Sequence, residues 1–162
     1  MIKLILATDL YGGIGYLNKL PWNIPNELKL FNKITQNAIL LMGLNTYLSL
    51  PSSFDLKNRK IIVLSKYIDF PKHIKINQIL NTQEQINNIF FKYRENKKDL
   101  FICGGKSVYE QFYNKANIII ISVINNIYKT DTKISFINKN KLIDENIIYK
   151  DKDFITYQYE LN

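Results

Sequence analysis

Leu100-Phe101-Ile102-Cys103-Gly104-Gly105-Lys106-Ser107-Val108-Tyr109-Glu110-Gln111-Phe112 decides the fold class of this chain. Residues 100–103 are apolar enough for a buried strand, and they run straight into Gly104-Gly105. Residues 106–113 then read as a helix. A strand that feeds a helix through glycine is the repeating unit of a parallel sheet. The signal recurs at residues 38–42, an all-apolar strand, where Gly43 marks the turn and a short helix over 45–50 stops at Pro51. Ile2–Thr8, Lys60–Leu64 and residues 117–123 are further apolar strands. Thr82, with Gln85 at the capping-box position, opens a longer helix whose Ile86, Ile89, Phe90 and Tyr93 keep helical spacing. Phe154–Leu161 alternates as an antiparallel strand does.

The pattern predicts one α/β domain over residues 1–162, with a mostly parallel sheet covered on both faces and an antiparallel C-terminal strand. Other stretches carry weaker signals. Residues 9–20 read as a loop given mobility by Gly12-Gly13-Ile14-Gly15, and 74–76 as a short strand. Residues 125–146 read as loop with a short strand around Ile134.

Composition bounds the function. The net charge is +8, which invites a nucleic-acid reading. The basic residues, however, are 20 Lys against 2 Arg, scattered along the chain, and 27 Ile and 20 Asn show the same inflation. The charge is therefore read as composition with a mild attraction to polyanionic ligands, and no nucleic-acid partner is expected. No apolar run reaches the ~20 residues of a membrane span. The N-terminal segment lacks a basic stretch and a cleavage site, so no signal peptide is expected. The lone Cys103 rules out an internal disulfide and fits a reducing cytoplasm.

Pro21-Trp22-Asn23-Ile24-Pro25-Asn26-Glu27-Leu28-Lys29-Leu30-Phe31 begins as a two-proline turn and continues as an amphipathic helix to about residue 36. Pro25 suits a first helical position. At 100° per residue, Glu27 shares a side with Leu28, Phe31, Ile34 and Thr35, while Lys29, Asn32, Lys33 and Gln36 take the other. A carboxylate within an apolar stripe calls for a partner or a ligand. The simpler alternative is a half-exposed first-turn Glu favoured by the helix dipole.

The remaining inventory is informative by what it lacks. A single His73 allows no histidine triad and no histidine-rich metal site, so no metal is expected. Cys103 ends an apolar strand and suits the core better than catalysis. With so few nucleophiles, a bound cofactor should carry the hard chemistry. The turns at Met42-Gly43-Leu44-Asn45-Thr46 and Cys103-Gly104-Gly105-Lys106-Ser107 could hold its phosphates, because helix N-termini present free N–H groups and glycine admits close approach. Arg59 stands out in a lysine-rich chain as a planar, bidentate binder of carboxylate or phosphate. Lys66 either places a charge near a phosphate or is simply solvated.

These residues resemble dihydrofolate reductase. The matching blocks are Gly15 through Pro21-Trp22-Asn23-Ile24-Pro25, Glu27-Leu28 and Phe31; Met42-Gly43, Thr46-Tyr47 and Ser49-Leu50-Pro51; Arg59-Lys60-Ile61-Ile62-Val63-Leu64-Ser65; and residues 102–112. Segments 70–95 and 133–162 match weakly. The resemblance implies an eight-stranded sheet with four flanking helices, and NADPH-dependent reduction of 7,8-dihydrofolate to tetrahydrofolate. It also implies binding of antifolate inhibitors and, from most relatives, a monomer.

By the same resemblance Glu27 is the active-site carboxylate for the pterin 2-amino group and N3. Trp22 would hold a water, and Ser122 would stand where a threonine usually supports the carboxylate. Ile5, Ala7, Leu28, Phe31 and Leu50 would line the pterin and aminobenzoyl pocket, with Arg59 on the glutamate α-carboxylate. Ala7, Ile14, Gly15, Asn18, Gly43, Leu44, Asn45, Thr46, Leu64, Ser65, Lys66, Cys103, Gly104, Gly105, Lys106, Ser107, Val108 and Tyr109 would surround the cofactor. Gly104-Gly105 would be a cis peptide.

Leu44, Asn45 and Ser107 depart from the family, standing where relatives often carry basic residues for the adenosine 2′-phosphate. Lys66 is then the main remaining contact. Two alternatives are a related pyrimidine reductase of riboflavin synthesis and a non-catalytic basic protein that binds nucleotides or nucleic acid. The first would not be expected to combine Trp22, Glu27 and Arg59. The second would show steep salt dependence on DNA or RNA.

Overall fold

In a computed structural model the structure describes residues 1–70, 75–135, 137 and 142–161. In chain order the elements are β1 Ile2–Thr8, β2 Gly13–Gly15, α1 Pro25–Ile34, β3 Ile39–Gly43, α2 Leu44–Leu48, β4 Lys60–Leu64, β5 Gln78–Leu80 and α3 Gln83–Arg94. They continue as β6 Leu100–Ile102, α4 Lys106–Phe112, a 3₁₀ turn Tyr113–Lys115, β7 Ile118–Ile124, β8 Thr132–Lys133, β9 Leu142–Lys150 and β10 Phe154–Leu161. Eight strands form one sheet in the order β5-β4-β3-β6-β1-β7-β10-β9. The first six run parallel, and β10 is antiparallel to both neighbours. This is the α/β architecture expected, with its antiparallel C-terminal strand and four α-helices.

Period-2 alternation divides the strand side chains between the two faces. On one face Ile2, Leu4 and Leu6 of β1, Ile39 and Leu41 of β3, Leu100 and Ile102 of β6, and Ile119 and Ile121 of β7 join one apolar cluster. The long apolar side chains of α3 and α4 cover it, including Ile89, Phe90, Val108 and Phe112. On the other face Ile5, Leu40, Met42, Phe101 and Ile120 meet Leu28, Phe31 and Ile34 of α1 and Leu44 and Tyr47 of α2. The near-continuous apolar runs read from the sequence are thus strands buried on both faces. Thr82 caps α3, accepting from Gln85 N–H at 3.2 Å while the Gln85 side chain accepts from Thr82 N–H at 3.3 Å.

Three expectations are corrected. The fifth strand of the chain lies at Gln78–Leu80, because Asn77 takes over the first ladder bonds of β4. Its N–H donates to Ile61 O at 2.9 Å and its side-chain oxygen accepts from Ile61 N–H at 2.7 Å. Ile74, assigned to a strand from sequence, and His73 lie outside the described residues. Residues 9–20 are not bare loop, since Gly13–Gly15 pairs antiparallel with Thr132–Lys133. Residues 125–146 hold β8 and the start of a nine-residue strand, β9. That strand is the sheet edge, exposed over 145–148, and its pairing with β10 carries register shifts. An exposed edge needs no apolar alternation, so its sequence gives no period to read.

Candidate active site

The site gathers at the carboxyl ends of β1, β3, β6 and β7, where α1 crosses the face that carries Ile5, Ala7, Ile120 and Ser122. Pro25 starts α1, and Glu27 is the only buried residue of that helix, 8 % exposed. No hydrogen bond or ion pair reaches its carboxylate among the described residues. Burial alone pushes its pKa up to about 7. The simpler sequence reading, a half-exposed first-turn Glu, is thereby removed.

Trp22 is buried beside Ile124 and Phe154, with Ala7 and Tyr128 against the same cluster. Its ring lies 5.6 Å from that of Tyr128, and its Nε1–H has no acceptor among the described residues. Across the sheet, Ala7 pairs with Ser122 and Ser122 with Thr156. The Ser122 hydroxyl bonds Thr156 Oγ1 at 2.9 Å, both buried. Ile5, Leu28, Phe31 and Leu50 share one apolar cluster, in which the Phe31 and Phe54 rings are 5.8 Å apart.

Arg59 is 8 % exposed and held by backbone oxygens. Nε donates to Thr35 O at 3.2 Å and to Thr35 Oγ1 at 3.3 Å, Nη2 to Asn32 O at 2.6 Å, and Nη1 to Asp55 O. The guanidinium also lies over Phe54, 5.5 Å from the ring centre. A guanidinium has five N–H donors. One on each terminal nitrogen is left over for an incoming carboxylate.

The two glycine turns are one structure. Parallel pairing of β3 with β6 sets them side by side, and Gly43 N–H donates to Gly104 O at 2.8 Å. The Gly104-Gly105 peptide is cis. No side chain caps α2 at Gly43 or α4 at Gly105, so neither turn competes for the first amides of its helix. A Cβ on Gly105 would sit 3.2 Å from Thr46 Oγ1. Tyr109 donates to Ile5 O at 2.9 Å and covers Gly104. Burial, with Cys103 and Glu27 nearby, raises its pKa.

Cys103 is buried and bonds Phe101 O at 3.4 Å; burial raises its pKa, as suits a core thiol. Val108 is buried, Leu64 half-buried at the end of β4, and Ser65 accepts from Tyr67 N–H at 2.9 Å. Lys66, Asn45 and Ser107 are exposed, and Leu44 is half-buried. Lys106 pairs with Glu110 at 3.7 Å.

Sequence reasoning missed the carboxylates that pin the 9–20 segment. Asp9 is 2 % exposed; its Oδ1 accepts from Tyr11 N–H at 2.9 Å and Gly13 N–H at 2.8 Å, and its Oδ2 from Tyr128 N–H at 3.1 Å. Asp131 Oδ2 accepts from Leu17 N–H at 2.8 Å, a bond that holds its pKa below the usual carboxylate value. Ile14 and Gly15 lie half-buried in β2, while Asn18 is exposed with φ +60°. An Asp directly after an apolar strand and before Gly-Gly is an Asx-turn signature that could have flagged Asp9. No comparable signal marks Asp131, and none marks Thr35 or Thr156. Among the described residues no group of His, Cys, Asp or Glu could hold a metal, and no helix is long and apolar enough to cross a membrane.

A family model described as Dihydrofolate reductase matches residues 1–161. The dihydrofolate reductase of Mycoplasma genitalium is 43 % identical over 136 residues, covering 81 % of each chain. That of Ureaplasma parvum is 34 % identical over 159 residues, covering 98 % of this chain and 96 % of its own. The solved dihydrofolate reductase of Enterococcus faecalis, complexed with NADP(H) and RAB-propyl, has a TM-score of 0.79 at 24 % identity. It covers 100 % of this chain and 96 % of that one, which establishes the shared fold. With the family model spanning the chain and relatives matched over most of their length, the chain belongs to the dihydrofolate reductase family.

Proposed function

We propose that this chain reduces 7,8-dihydrofolate to 5,6,7,8-tetrahydrofolate with NADPH, supplying one-carbon and thymidylate chemistry. The observation that carries the reading is Glu27, a buried carboxylate with no hydrogen-bond or ion-pair partner among the described residues. A neutral pterin edge with adjacent N–H donors matches it, because charge-assisted bonds to the 2-amino group and N3 offset its desolvation. A pKa of about 7 lets the same group carry a proton at working pH.

NADPH, when bound, supplies a hydride from nicotinamide C4 to pterin C6. The glycine turns fit its phosphates, since their uncapped amides and missing side chains leave room for an anion. Gly43, Leu44, Asn45 and Thr46 would hold one side and Cys103 to Tyr109 the other, with Leu64, Ser65 and Lys66 on the adjacent strand end. Ala7, Ile14, Gly15 and Asn18 would border the nicotinamide. Glu27 would orient the pterin and help make productive the water that protonates N5, and the Trp22 Nε1–H, without an acceptor among the described residues, would hold an ordered water near the pterin. The Ser122 hydroxyl, bonded to Thr156 at 2.9 Å, would stand where a threonine usually supports the carboxylate. Arg59 takes the α-carboxylate of the substrate's glutamate on its two spare N–H groups.

The chain acts as one domain and as a cytoplasmic monomer that binds small molecules, antifolates among them, rather than nucleic acid. The buried lone thiol and the scattered lysines support this. The test follows absorbance of the reduced nicotinamide with dihydrofolate and enzyme. Oxidation that depends on both substrates and is blocked by an antifolate is expected; no oxidation under any buffer condition refutes the reading.

A further inference from the structure

We propose that the cleft between α2 and the segment leading into β5 is a binding site for a small planar aromatic carboxylate. Its volume is about 410 Å³, with Tyr47, Phe54 and Leu56 as the apolar wall and Ser52, Asp55, Lys57 and Lys75 as the polar one. That volume falls in the ~300–1,000 Å³ range of small-molecule sites, and an apolar wall with a few convergent polar groups is their usual make-up. Neither Glu27 nor Arg59 lines it, so it is separate from the site described above.

Both walls are fixed before a ligand arrives. The buried Phe54 ring lies 5.8 Å from that of Phe31 and 5.5 Å from the Arg59 guanidinium. Its loop is a run of closed turns, in which Phe54 N–H donates to Pro51 O at 2.8 Å and Lys57 N–H to Asp55 Oδ1 at 2.8 Å. Tyr47 and Leu56 are half-buried against the apolar cluster that carries α1. On the other side Asn77, two residues after Lys75, is fastened to β4 through Ile61. A wall already in place lowers the cost of ordering it around a ligand.

The polar lining selects an anion. The Tyr47 and Ser52 hydroxyls and the Lys57 and Lys75 ammonium groups can all donate, and none has a hydrogen-bond or ion-pair partner among the described residues. Against these four donors stands one carboxylate, Asp55, whose Oδ1 is already taken by the Lys57 N–H. A ligand carboxylate offers about four lone-pair sites and no donor, which complements this set. The aromatic pair Tyr47 and Phe54 calls for a planar ring, since ring-on-ring contact adds to plain apolar burial. A bare phosphate leaves that wall unused, and a neutral ring leaves the two lysines unused.

The test measures binding of 2-naphthoate to the whole enzyme by saturation-transfer NMR, with the pterin pocket filled by a saturating antifolate. A Kd of about 1 mM is expected, as for a ligand of this size at ordinary efficiency. The neutral analogue 2-naphthamide should bind about fivefold more weakly. K57A/K75A should raise the 2-naphthoate Kd about fivefold, to that of the amide, whereas K97A/K98A, which removes two other exposed lysines, leaves it unchanged. Y47L should weaken both probes, because it removes the ring and keeps the apolar bulk. Loss of the 2-naphthoate signal on adding antifolate, equal Kd values for acid and amide, equal effects of the two lysine pairs, or a Y47L variant that binds as the parent does overturns the site. An enzyme that binds no antifolate counts against the dihydrofolate reading instead, and the same variants then decide this site on the free protein.

Discussion

Gly43 N–H donates to Gly104 O across 2.8 Å, joining two strand-to-helix turns 61 residues apart in sequence into one backbone cradle. Gly104 has φ +100°, and a Cβ there would lie 2.9 Å from the Tyr109 ring. Ala at this position pays for both the left-handed backbone and the ring displacement. Gly104→Ala is expected to cost roughly 2–4 kcal/mol in urea unfolding, from strain plus overpacking. It also breaks the Tyr109 bond to Ile5, so NADPH affinity should fall more than affinity for an antifolate that fills only the pterin pocket. Equal losses for both ligands would place the damage in the fold rather than in the cradle.

Burial of the Glu27 carboxylate costs stability at neutral pH. Its folded pKa is about 7 against 4.5 for the free group, so between those values the native state binds more protons than the unfolded chain. Stability therefore falls as pH rises from about 4.5 to 7 and stays low above it, by roughly 3 kcal/mol in all. Glu27→Gln removes that charge. The variant should match the parent in stability near pH 5 and exceed it near pH 8, while losing most turnover at neutral pH. Urea midpoints across this range decide it: a variant less stable than the parent at pH 8 would show that Glu27 has a structural partner.

Asp9 is the anchor of the 9–20 segment. Truncation to Ala leaves the N–H groups of Tyr11, Gly13 and Tyr128 without their acceptor. Buried donors left unpaired cost about 1–3 kcal/mol each, less where water enters. Asp9→Ala is expected to lower stability by roughly 3 kcal/mol and to speed amide exchange at Gly13 to Gly15. Asp9→Asn, which keeps an acceptor on one oxygen, should recover part of both. Unchanged exchange in β2 would remove Asp9 from the loop's support.

The sheet was legible wherever burial on both faces left an uninterrupted apolar run. Lys60–Leu64 matches residue for residue, and Phe154–Leu161 was legible through its alternation. Legibility failed where pairing, not burial, makes the strand. Gly13–Gly15 has no apolar signal of its own and becomes a strand only by meeting Thr132–Lys133, more than a hundred residues away. The edge strand Leu142–Lys150 is exposed over 145–148 and needs no period. At the site the sequence exposed Glu27 and Arg59 because each breaks a local rule, a carboxylate on an apolar face and an arginine among lysines. It did not expose Asp131, an ordinary surface aspartate until the fold brings it to Leu17.

Cofactor choice depends on few charges. Asn45 and Ser107 are exposed and neutral, Leu44 is apolar, and the Lys106 ammonium lies 3.7 Å from Glu110. Lys66, just after the neighbouring β4, has no ion pair among the described residues and is the cation we propose for a ribose 2′-phosphate. One exposed ion pair contributes about 1 kcal/mol or less, so discrimination between NADPH and NADH should be only about fivefold from this contact. Lys66→Ala is expected to raise Kd for NADPH by about that factor while leaving NADH unchanged, which fluorescence titration of both cofactors resolves. Glu110→Gln works in the opposite sense: it frees Lys106 and should widen the gap between the two cofactors. If Lys66→Ala leaves the ratio of the two Kd values where it was, the discriminating charge lies elsewhere.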